Sequence, residues 1–474
     1  MKKLLAALMA AVMCAACFAG CTKETQTDIK SAADADDVTV KIWSGDGGAQ
    51  AVWRKLVDEW NSTEGEKKNI FIDFSVSMDS QRIDVARQNE TLPEITNANT
   101  TQMEQFIPTG DLIPINDLPG GEEFLKEYGD EGVEGIERYG DKQYAVRRKT
   151  QTAGLIYNKD LFKKAGIVDE KGEAKAPATF AEIREAAKKI TDTKAGIYGF
   201  AFPLKFGVNY TIVNQTVSSF SAENPRVKTD YDNLTVDYSG YKDTFQWILD
   251  MKEDGSVFPG AETLDNDTAR AYFASGIIGM IPAISWDVGV YTTQFIPENF
   301  EWDMCEFPIL DGHERGMNYQ YDSGMFTISK NALKTPEIAE ATMEVYKFLY
   351  SLDVRKTLFE NNTDLSCKTD VLEVADMSKV HPVFAKFAAL AYDGHKEYQS
   401  AGSYIVDGKK WSEMFEDVWA GKISLDDAIA DYSKRASEGL KAGVKKGTYD
   451  IEIAKQVEKE KLADWKAFKE KAAK

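Results

Sequence analysis

Hydrophobic and polar residues recur along this chain with periods that predict both strands and helices. From residue 38 to 42 the apolar side chains occupy every second position, and residues 70–76 repeat that pattern. Between these segments, apolar residues recur at three- and four-residue spacing over positions 49–60. Period two is typical of a half-buried strand and period 3.6 of an amphipathic helix. The order strand, helix, strand predicts a βαβ unit and therefore an α/β fold with parallel strands.

Later segments predict further helices and one buried strand. Residues 179–182 match a capping box, residues 335–336 place proline at a first helical position, and Ser424 precedes an apolar stripe. Residues 277–281 form an apolar run that ends at a proline, which we interpret as a buried strand. Residues 451–474 are rich in lysine and glutamate with apolar residues on roughly one face, and they predict a C-terminal helix.

The N-terminal segment has the pattern of a secretion signal. Two lysines follow Met1, an apolar run covers residues 4–18, and Ala-Gly precedes Cys21. The run is too short to span a bilayer with ordinary flanks, and the small residues mark a cleavage site. These residues resemble the bacterial lipobox, although Phe18 stands where that motif usually has an aliphatic residue. We therefore predict a lipoprotein signal over residues 1–20 and lipidation of Cys21; the alternative is an ordinary cleaved signal with an unmodified cysteine.

The polar segment 21–37 predicts a flexible tether before a globular part that begins at Val38. A single acyl chain anchors only marginally, so we expect multiple acylation. No second apolar run in the sequence approaches bilayer length. The expected location is the extracellular face of the bacterial cytoplasmic membrane, with a lipid anchor.

Composition narrows the possible partners. The net charge of −20, from 77 acidic and 57 basic residues, argues against nucleic acid, which needs a basic surface. The chain is long enough for two or three domain-sized cores. Of its five cysteines, Cys305 and Cys367 remain in the predicted globular part, either as small buried hydrophobes or as a disulfide.

Several segments occur in the order found in one family. They are residues 140–146, 155–166 (with Tyr-Asn-Lys-Asp-Leu-Phe), 177–183, 272–280 with Trp286 shortly after, and 307–308. Together they resemble the extracellular solute-binding proteins of sugar ABC transporters, the maltose-binding-protein-like class. The chain departs from the family at Arg147, where proline is usual, and at Glu94, where aspartate is usual.

The resemblance implies a two-lobed, type II periplasmic-binding-protein-like fold with a hinge and an interlobe cleft. One lobe would comprise residues 38–151 plus 309–355, and the other residues 152–308 plus 356–474. A carbohydrate, expected to be an oligosaccharide, would bridge the lobes and shift the population to a closed form. The implied partners are ABC permease subunits with a separate ATPase, and we expect a monomer.

Candidate ligand residues lie at strand ends and in loops, where open α/β sheets bind ligands. Sugars need aromatic surfaces for their ring faces, and amides or carboxylates for their hydroxyls. By resemblance, Trp286 is where the family places a stacking tryptophan; the alternative is a core residue. Trp43 ends the first strand, and Asp46 follows it either as a ligand residue or as a helix cap. The other candidates are Gln81, Gln151, Tyr319, Tyr321, Asp322 and Trp411, the last of which would alternatively pack under a helix.

One basic run stands out in this acidic chain. If Arg147, Arg148 or Lys149 faced the cleft, an anionic ligand such as a uronic-acid oligosaccharide would be reasonable. The favoured alternative is a surface ladder that pairs with nearby carboxylates.

Enzymatic motifs are missing from the sequence. None of the three histidines has metal-ligand spacing, residues 402–409 are not a P-loop, and no G-x-S-x-G occurs. We therefore expect no cofactor, no metal and no catalysis. Because acidic residues are abundant, a secreted lipoprotein glycoside hydrolase with paired carboxylates stays open as the alternative function.

Overall fold

The computed structural model of the chain describes residues 33–76, 81–207, 215–318, 320, 325–391 and 398–472. The predicted signal, Cys21 and residues 21–32 of the predicted tether lie outside these ranges, as do Tyr319, Tyr321 and Asp322. Two larger sheets, named sheet 1 and sheet 2 below, are each packed between helices. The predicted α/β class is therefore confirmed.

Sheet 1 is mostly parallel and contains one strand from late in the chain. Its spatial order is Ile70–Val76, Val38–Ser44, Ile95–Thr96, Thr327–Ser329 and Leu112–Ile113. Val38–Ser44 is parallel to both of its neighbours, as predicted for the βαβ unit, whereas Thr327–Ser329 is antiparallel to both of its own. The chain must leave sheet 1 after residue 113 and return to it before residue 327.

Sheet 2 has four strands, in the spatial order Trp302–Glu306, Ala153–Asn158, Ile278–Ile284 and Tyr198–Phe200. The predicted buried strand is present, but it does not end at Pro282. Its pairing with Tyr198–Phe200 reaches only Met280, so Pro282 lies where that side of the strand has no strand partner. A residue without a backbone N–H is tolerated at such a position, and the strand continues to Ile284.

Helices cover both faces of the two sheets. The first is Gln50–Trp60, which continues through a π turn, Asn61–Gly65, and a final turn, Glu66–Lys68. The others are Gln81–Gln88, Thr100–Phe106, Gly121–Tyr128, Lys159–Lys164, Phe180–Ile190, Lys242–Glu253, Asn266–Ala274, Asp287–Thr293, Pro336–Leu349, Leu352–Glu360, Val371–Val374, Pro382–Ala391, Trp411–Trp419, Leu425–Lys446 and Ile451–Ala472.

The predicted helix starts are confirmed. Thr179, Thr335 and Ser424 each accept a hydrogen bond at the side-chain oxygen from the backbone N–H three residues later. Each bond satisfies one of the orphan donors of a helix N-terminus, which is why these residue types are favoured there. At the first of them, the carboxylate of Glu182 accepts the backbone N–H of Ala178, one residue before Thr179, so the predicted capping box lacks its reciprocal bond to the cap residue.

Each sheet has hydrophobic cores of its own. Trp53, Ile42 and Val345 belong to the core on one face of sheet 1, and Met103 and Phe106 to the core on the other. Sheet 2 has one core with members such as Phe245 and another with members such as Phe384; the members of both cores are at most 8% exposed. Separate cores allow the two sheets to behave as separate lobes.

The segments that run between the sheets pair with each other. Lys149–Thr150 is antiparallel to Leu365–Ser366, and Thr152 bridges to Gln320. Helix Leu352–Glu360 belongs to both sides, because Leu358 lies in a sheet 1 core and Phe359 in a sheet 2 core. The lobe boundaries proposed from the sequence, and the hinge, stay predictions.

The C-terminal helix packs along the side of the molecule. Trp465 is 3% exposed, and its Nε1 donates to Glu223 at 3.1 Å, while Lys455 pairs with Asp232 at 2.8 Å. In the part of the chain that the structure covers, no helix is both long and apolar enough to cross a bilayer.

Neither thiol of Cys305 and Cys367 is in a disulfide, which rules out the paired arrangement. Burial raises the pKa of the Cys305 thiol to about 12, so this cysteine stays a neutral, hydrophobic side chain at physiological pH.

Candidate functional site

The carboxyl ends of the first two strands of sheet 1 lie side by side. Trp43 is opposite Ser75 in the register of the parallel pair, and Ser44 is opposite Val76. The chain then turns at residues 45–46 and enters a 3-10 turn, Gly47–Ala49. This is the edge of an α/β sheet at which ligands are commonly bound.

In sheet 2 the corresponding position is held by Trp286. It lies two residues after the end of strand Ile278–Ile284, is half-buried, and immediately precedes helix Asp287–Thr293. Asp287 fixes this corner, because its Oδ2 accepts the backbone N–H of Ile284 at 2.7 Å and its other oxygen pairs with Arg270. The aromatic side chain predicted from the sequence therefore lies at a rigid strand-to-helix corner.

These two corners contact each other. A Cβ atom added to Gly48, in the turn after the first strand, would lie 3.7 Å from Cγ2 of Val290 in the helix after Trp286. A Cβ atom on Gly289 would lie 2.8 Å from the carbonyl oxygen of Asn362, in the segment that returns between the sheets. The ends of sheet 1 and sheet 2 that carry Trp43 and Trp286 therefore face the same region.

A buried cluster of four charges supports this region. Asp46 Oδ2 lies 2.7 Å from Arg148 Nη2, and Asp46 Oδ1 lies 2.5 Å from Lys149 Nζ. Asp364 pairs with Arg148 and, at 3.3 Å, with Lys149. The side chain of Arg148 is 1% exposed and its guanidinium lies over the Trp53 ring, with Cζ 5.0 Å from the centroid. We call these residues the four-charge cluster; two cations and two carboxylates make it formally neutral.

The four-charge cluster determines the ionisation of Asp46. Burial alone would raise the pKa of this carboxyl, but Lys149 and Arg148 outweigh it and lower the pKa to about 2. Asp46 is therefore a carboxylate throughout the physiological range. Its side chain makes no capping hydrogen bond to the turn that follows, so the capping interpretation is wrong.

The basic run, residues 147–149, does not form the surface ladder that the sequence analysis favoured. Arg147 pairs with Asp130 at 2.6 Å, so pairing with carboxylates was anticipated correctly. Arg148 and Lys149 are buried, however, because the two paired connecting segments cover them. Since their charges are matched by Asp46 and Asp364, they do not present the uncompensated cation that an anionic ligand would need.

Arg82 is a residue at this edge that the sequence did not single out. Its Cζ lies 3.7 Å from the centroid of the Trp43 ring, and its Nη1 donates to Ser75 Oγ at 3.4 Å. One face of Trp43 is thus covered by a guanidinium group. The sequence did contain a signal for Arg82, because this arginine lies shortly after the second predicted strand and next to the candidate Gln81.

The remaining candidates differ in position. Gln151 is buried in the segment between the sheets, and Gln81 is exposed at the start of its helix. Trp411 is 5% exposed and packs against Tyr241 and Phe245, with ring centroids 5.3 Å from each, which is the packing arrangement left open as the alternative. Tyr319, Tyr321 and Asp322 lie outside the described residues. Within the described residues, no group of three or more His, Cys, Asp or Glu side chains could hold a metal ion.

Residues 44–356 match the sequence model of the bacterial extracellular solute-binding protein family. The chain is 30% identical over 213 residues to the sn-glycerol-3-phosphate-binding periplasmic protein UgpB of Agrobacterium fabrum, covering 43% of this chain and 45% of that one. It is 26% identical over 285 residues to UgpB of Brucella abortus, covering 57% and 62%. The match thus spans about half the length of these relatives.

Solved structures share the fold over most of the chain. The maltose/maltodextrin-binding domain MalE of Bdellovibrio bacteriovorus, bound to maltotriose, superposes with a TM-score of 0.64 at 18% identity, over 85% of this chain and all of the other. A structure from work on xylan utilization by Caldanaerobius polysaccharolyticus gives a TM-score of 0.65 at 19% identity, over 84% and 100%. The predicted type of fold is confirmed by these comparisons.

Proposed function

Because this chain belongs to the bacterial extracellular solute-binding protein family, we propose that it is the substrate-binding component of an ABC importer. It captures a carbohydrate or a related polyol between its two sheets and delivers it to the permease subunits, which are driven by a separate ATPase. The ligand is not altered. The names of the relatives and the sugars in the similar structures support this class of ligand.

The observation that carries the proposal is the contact between the two corners. The turn after the first strand of sheet 1 lies against the helix after Trp286, where Gly48 faces Val290. A ligand held at this contact would touch both lobes at once. Binding would then favour a closed arrangement, because a ligand shifts an equilibrium by its differential affinity for the two states.

The proposed location is the outer face of the cytoplasmic membrane, anchored by acyl chains on Cys21 and acting as a monomer. The family description, extracellular, supports the side of the membrane. The lipid anchor rests on the sequence of residues 1–21 alone. Metabolic labelling with a palmitate analogue tests it: Cys21→Ala should abolish labelling and release the protein from the membrane fraction.

Catalysis is not part of the proposal. A glycoside hydrolase needs one carboxylic acid that is protonated near neutral pH. The acidic side chain that follows the first strand, Asp46, has a pKa lowered to about 2 and is engaged by two cations. It is suited to structure and not to proton donation.

A binding screen tests the function. The purified protein is heated in the presence of neutral oligosaccharides, uronates and polyol phosphates, and a ligand that binds the native state raises the melting temperature by mass action. Hits are then titrated by calorimetry and followed by tryptophan fluorescence. Failure of every carbohydrate and polyol to bind would contradict the proposal, and turnover of aryl glycosides would replace it with the hydrolase.

A further inference from the structure

The guanidinium group of Arg82 lies over an aromatic ring at the edge of sheet 1. It stacks on Trp43, with 3.7 Å from Cζ to the ring centroid, and its Nη1 donates a hydrogen bond to Ser75 Oγ at 3.4 Å. No carboxylate of the described residues lies within ion-pair distance of it.

Neighbouring cations are different. Arg147 pairs with Asp130, Arg148 and Lys149 are neutralised inside the four-charge cluster, and Arg87, on the same helix as Arg82, pairs with Asp111 at 3.3 Å. The positive charge at the Trp43 edge is therefore supplied by Arg82.

The stack also prepares the guanidinium for recognition. An arginine has five N–H donors in one plane, and it can present two of them in parallel to a carboxylate or a phosphate. Stacking on an indole orients that plane and leaves its edges available, while Ser75 engages a single donor. Arg82 is half-buried, so its orientation is restricted while part of the side chain stays accessible to a ligand.

The same arrangement disfavours a neutral sugar on this surface. To stack on the covered face of Trp43, a sugar ring would have to displace Arg82, and Asp46 is already engaged by Arg148 and Lys149. An oxyanion needs no displacement. It would add charge-assisted hydrogen bonds to a cation that is already in place.

We propose that Arg82 is a specificity-determining residue that binds an oxyanion of the ligand, so that the solute is a sugar or polyol carrying a phosphate or a carboxylate. This inference rests on the proposed function and deepens it. It moves the anionic contact from the basic run 147–149, which is neutralised, to the edge of sheet 1.

Calorimetry with matched ligands tests the inference. The purified protein is titrated with glucose, glucose 6-phosphate and glucuronate, and with glycerol and glycerol 3-phosphate, so that the phosphate and carboxylate sources of an oxyanion are separate arms. The variants are Arg82→Gln and Arg82→Lys. Arg87→Gln is the matched control, because it removes an arginine of the same helix that also stacks on an aromatic ring, that of Phe106.

We expect an anionic ligand to bind more tightly than its neutral parent, and Arg82→Gln to weaken it by about 10- to 150-fold, the range for hydrogen bonds to charged groups. Arg82→Lys should retain part of the affinity, because it keeps the charge and loses the planar fork. The affinity of the Arg82 variants for a neutral ligand should differ from wild type by less than about threefold, a difference below 1 kcal/mol. The affinity of Arg87→Gln for the anionic ligand should also stay within about threefold of wild type.

The outcomes separate the two proposals. If neutral sugars bind well and no anionic ligand binds better, or if Arg82→Gln leaves the anionic affinity unchanged, the Arg82 inference is wrong while the solute-binding function stands. If no sugar or polyol of either kind binds the wild-type protein, the proposed function fails and the inference fails with it.

Discussion

Arg148 and Asp364 form a buried ion pair that joins two of the segments running between the sheets. Their side chains are 1% and 5% exposed, and they are separated by 216 positions along the chain. Asp46 and Lys149 complete the four-charge cluster around them. Such a cluster holds together only while its charges are balanced, and this dependence leads to two predictions.

Asp364→Asn should destabilise the protein strongly. The substitution removes one carboxylate and leaves Arg148 and Lys149 incompletely compensated in a buried site, which costs about 3–5 kcal/mol in comparable cases. The free energy of unfolding in urea measures the effect. Glu301→Gln is the control, because the Glu301–Lys159 pair at 2.8 Å is 68% exposed on the glutamate side and should contribute about 1 kcal/mol or less. Equal losses in the two variants would contradict the prediction.

The contribution of Asp46 should disappear in acid. Its pKa is lowered from 3.8 to about 2 in the folded protein, so the carboxylate stabilises the fold above the unfolded-state pKa and that stability is lost as pH falls through the folded-state pKa. The full contribution corresponds to about 2 kcal/mol.

Urea unfolding of wild type and Asp46→Asn at several pH values tests this dependence. The difference between the two proteins should be largest above pH 4 and shrink between about pH 4 and pH 2, where wild-type Asp46 becomes neutral as well. A difference in unfolding free energy that stays constant between pH 4 and pH 2 would contradict the prediction.

The sequence was sufficient where local patterns determine structure. Alternation predicted Val38–Ser44 and Ile70–Val76, and side-chain caps predicted the starts after Thr179 and Thr335. These features depend on residues within a few positions of each other, so the information lies in one segment. The strand through Pro282 was mispredicted at its end because the absence of a neighbour on one side is a tertiary property.

The site was only partly predictable, because its interactions are long-range. Asp46 and Arg148 are 102 positions apart, and in an acidic chain such residues look like ordinary surface charges. Trp43 was singled out as a sugar-stacking surface, but a pattern cannot show that Arg82 covers one of its faces. Likewise Trp411 could be assigned to ligand or core only once its neighbours Tyr241 and Phe245 were placed around it.

Trp286→Ala should weaken ligand binding and leave the fold intact. Trp286 is half-buried at the corner where sheet 2 meets sheet 1, and removal of an interfacial aromatic typically costs about 1–3 kcal/mol of binding free energy. Titration calorimetry with the ligand found in the screen measures the change, and circular dichroism checks the fold. Unchanged affinity would remove Trp286 from the site.

Trp411→Ala should give the opposite result. Its ring lies in the aromatic core with Tyr241 and Phe245, so the truncation leaves a cavity and should lower the free energy of unfolding by about 3–5 kcal/mol. At a temperature where the variant is still folded, its dissociation constant for the ligand should equal that of wild type. A large loss of affinity in the folded variant would reassign Trp411 to ligand binding.

Gly48→Leu should weaken ligand binding by hindering closure of the lobes, with little effect on the stability of the fold. Gly48 is exposed in its turn, and the neighbour that a Cβ atom there would meet within 4 Å is Val290 on the opposing helix. A longer side chain would collide with that helix and hold the two lobes apart, while surface substitutions of this kind usually change stability by about 0.5 kcal/mol or less. We therefore expect at least about a tenfold loss of ligand affinity, equivalent to 1.4 kcal/mol, and a larger radius of gyration by solution X-ray scattering. Adding Val290→Ala should make room and restore part of the affinity; affinity that is unaffected by Gly48→Leu would mean that ligand binding does not require this contact.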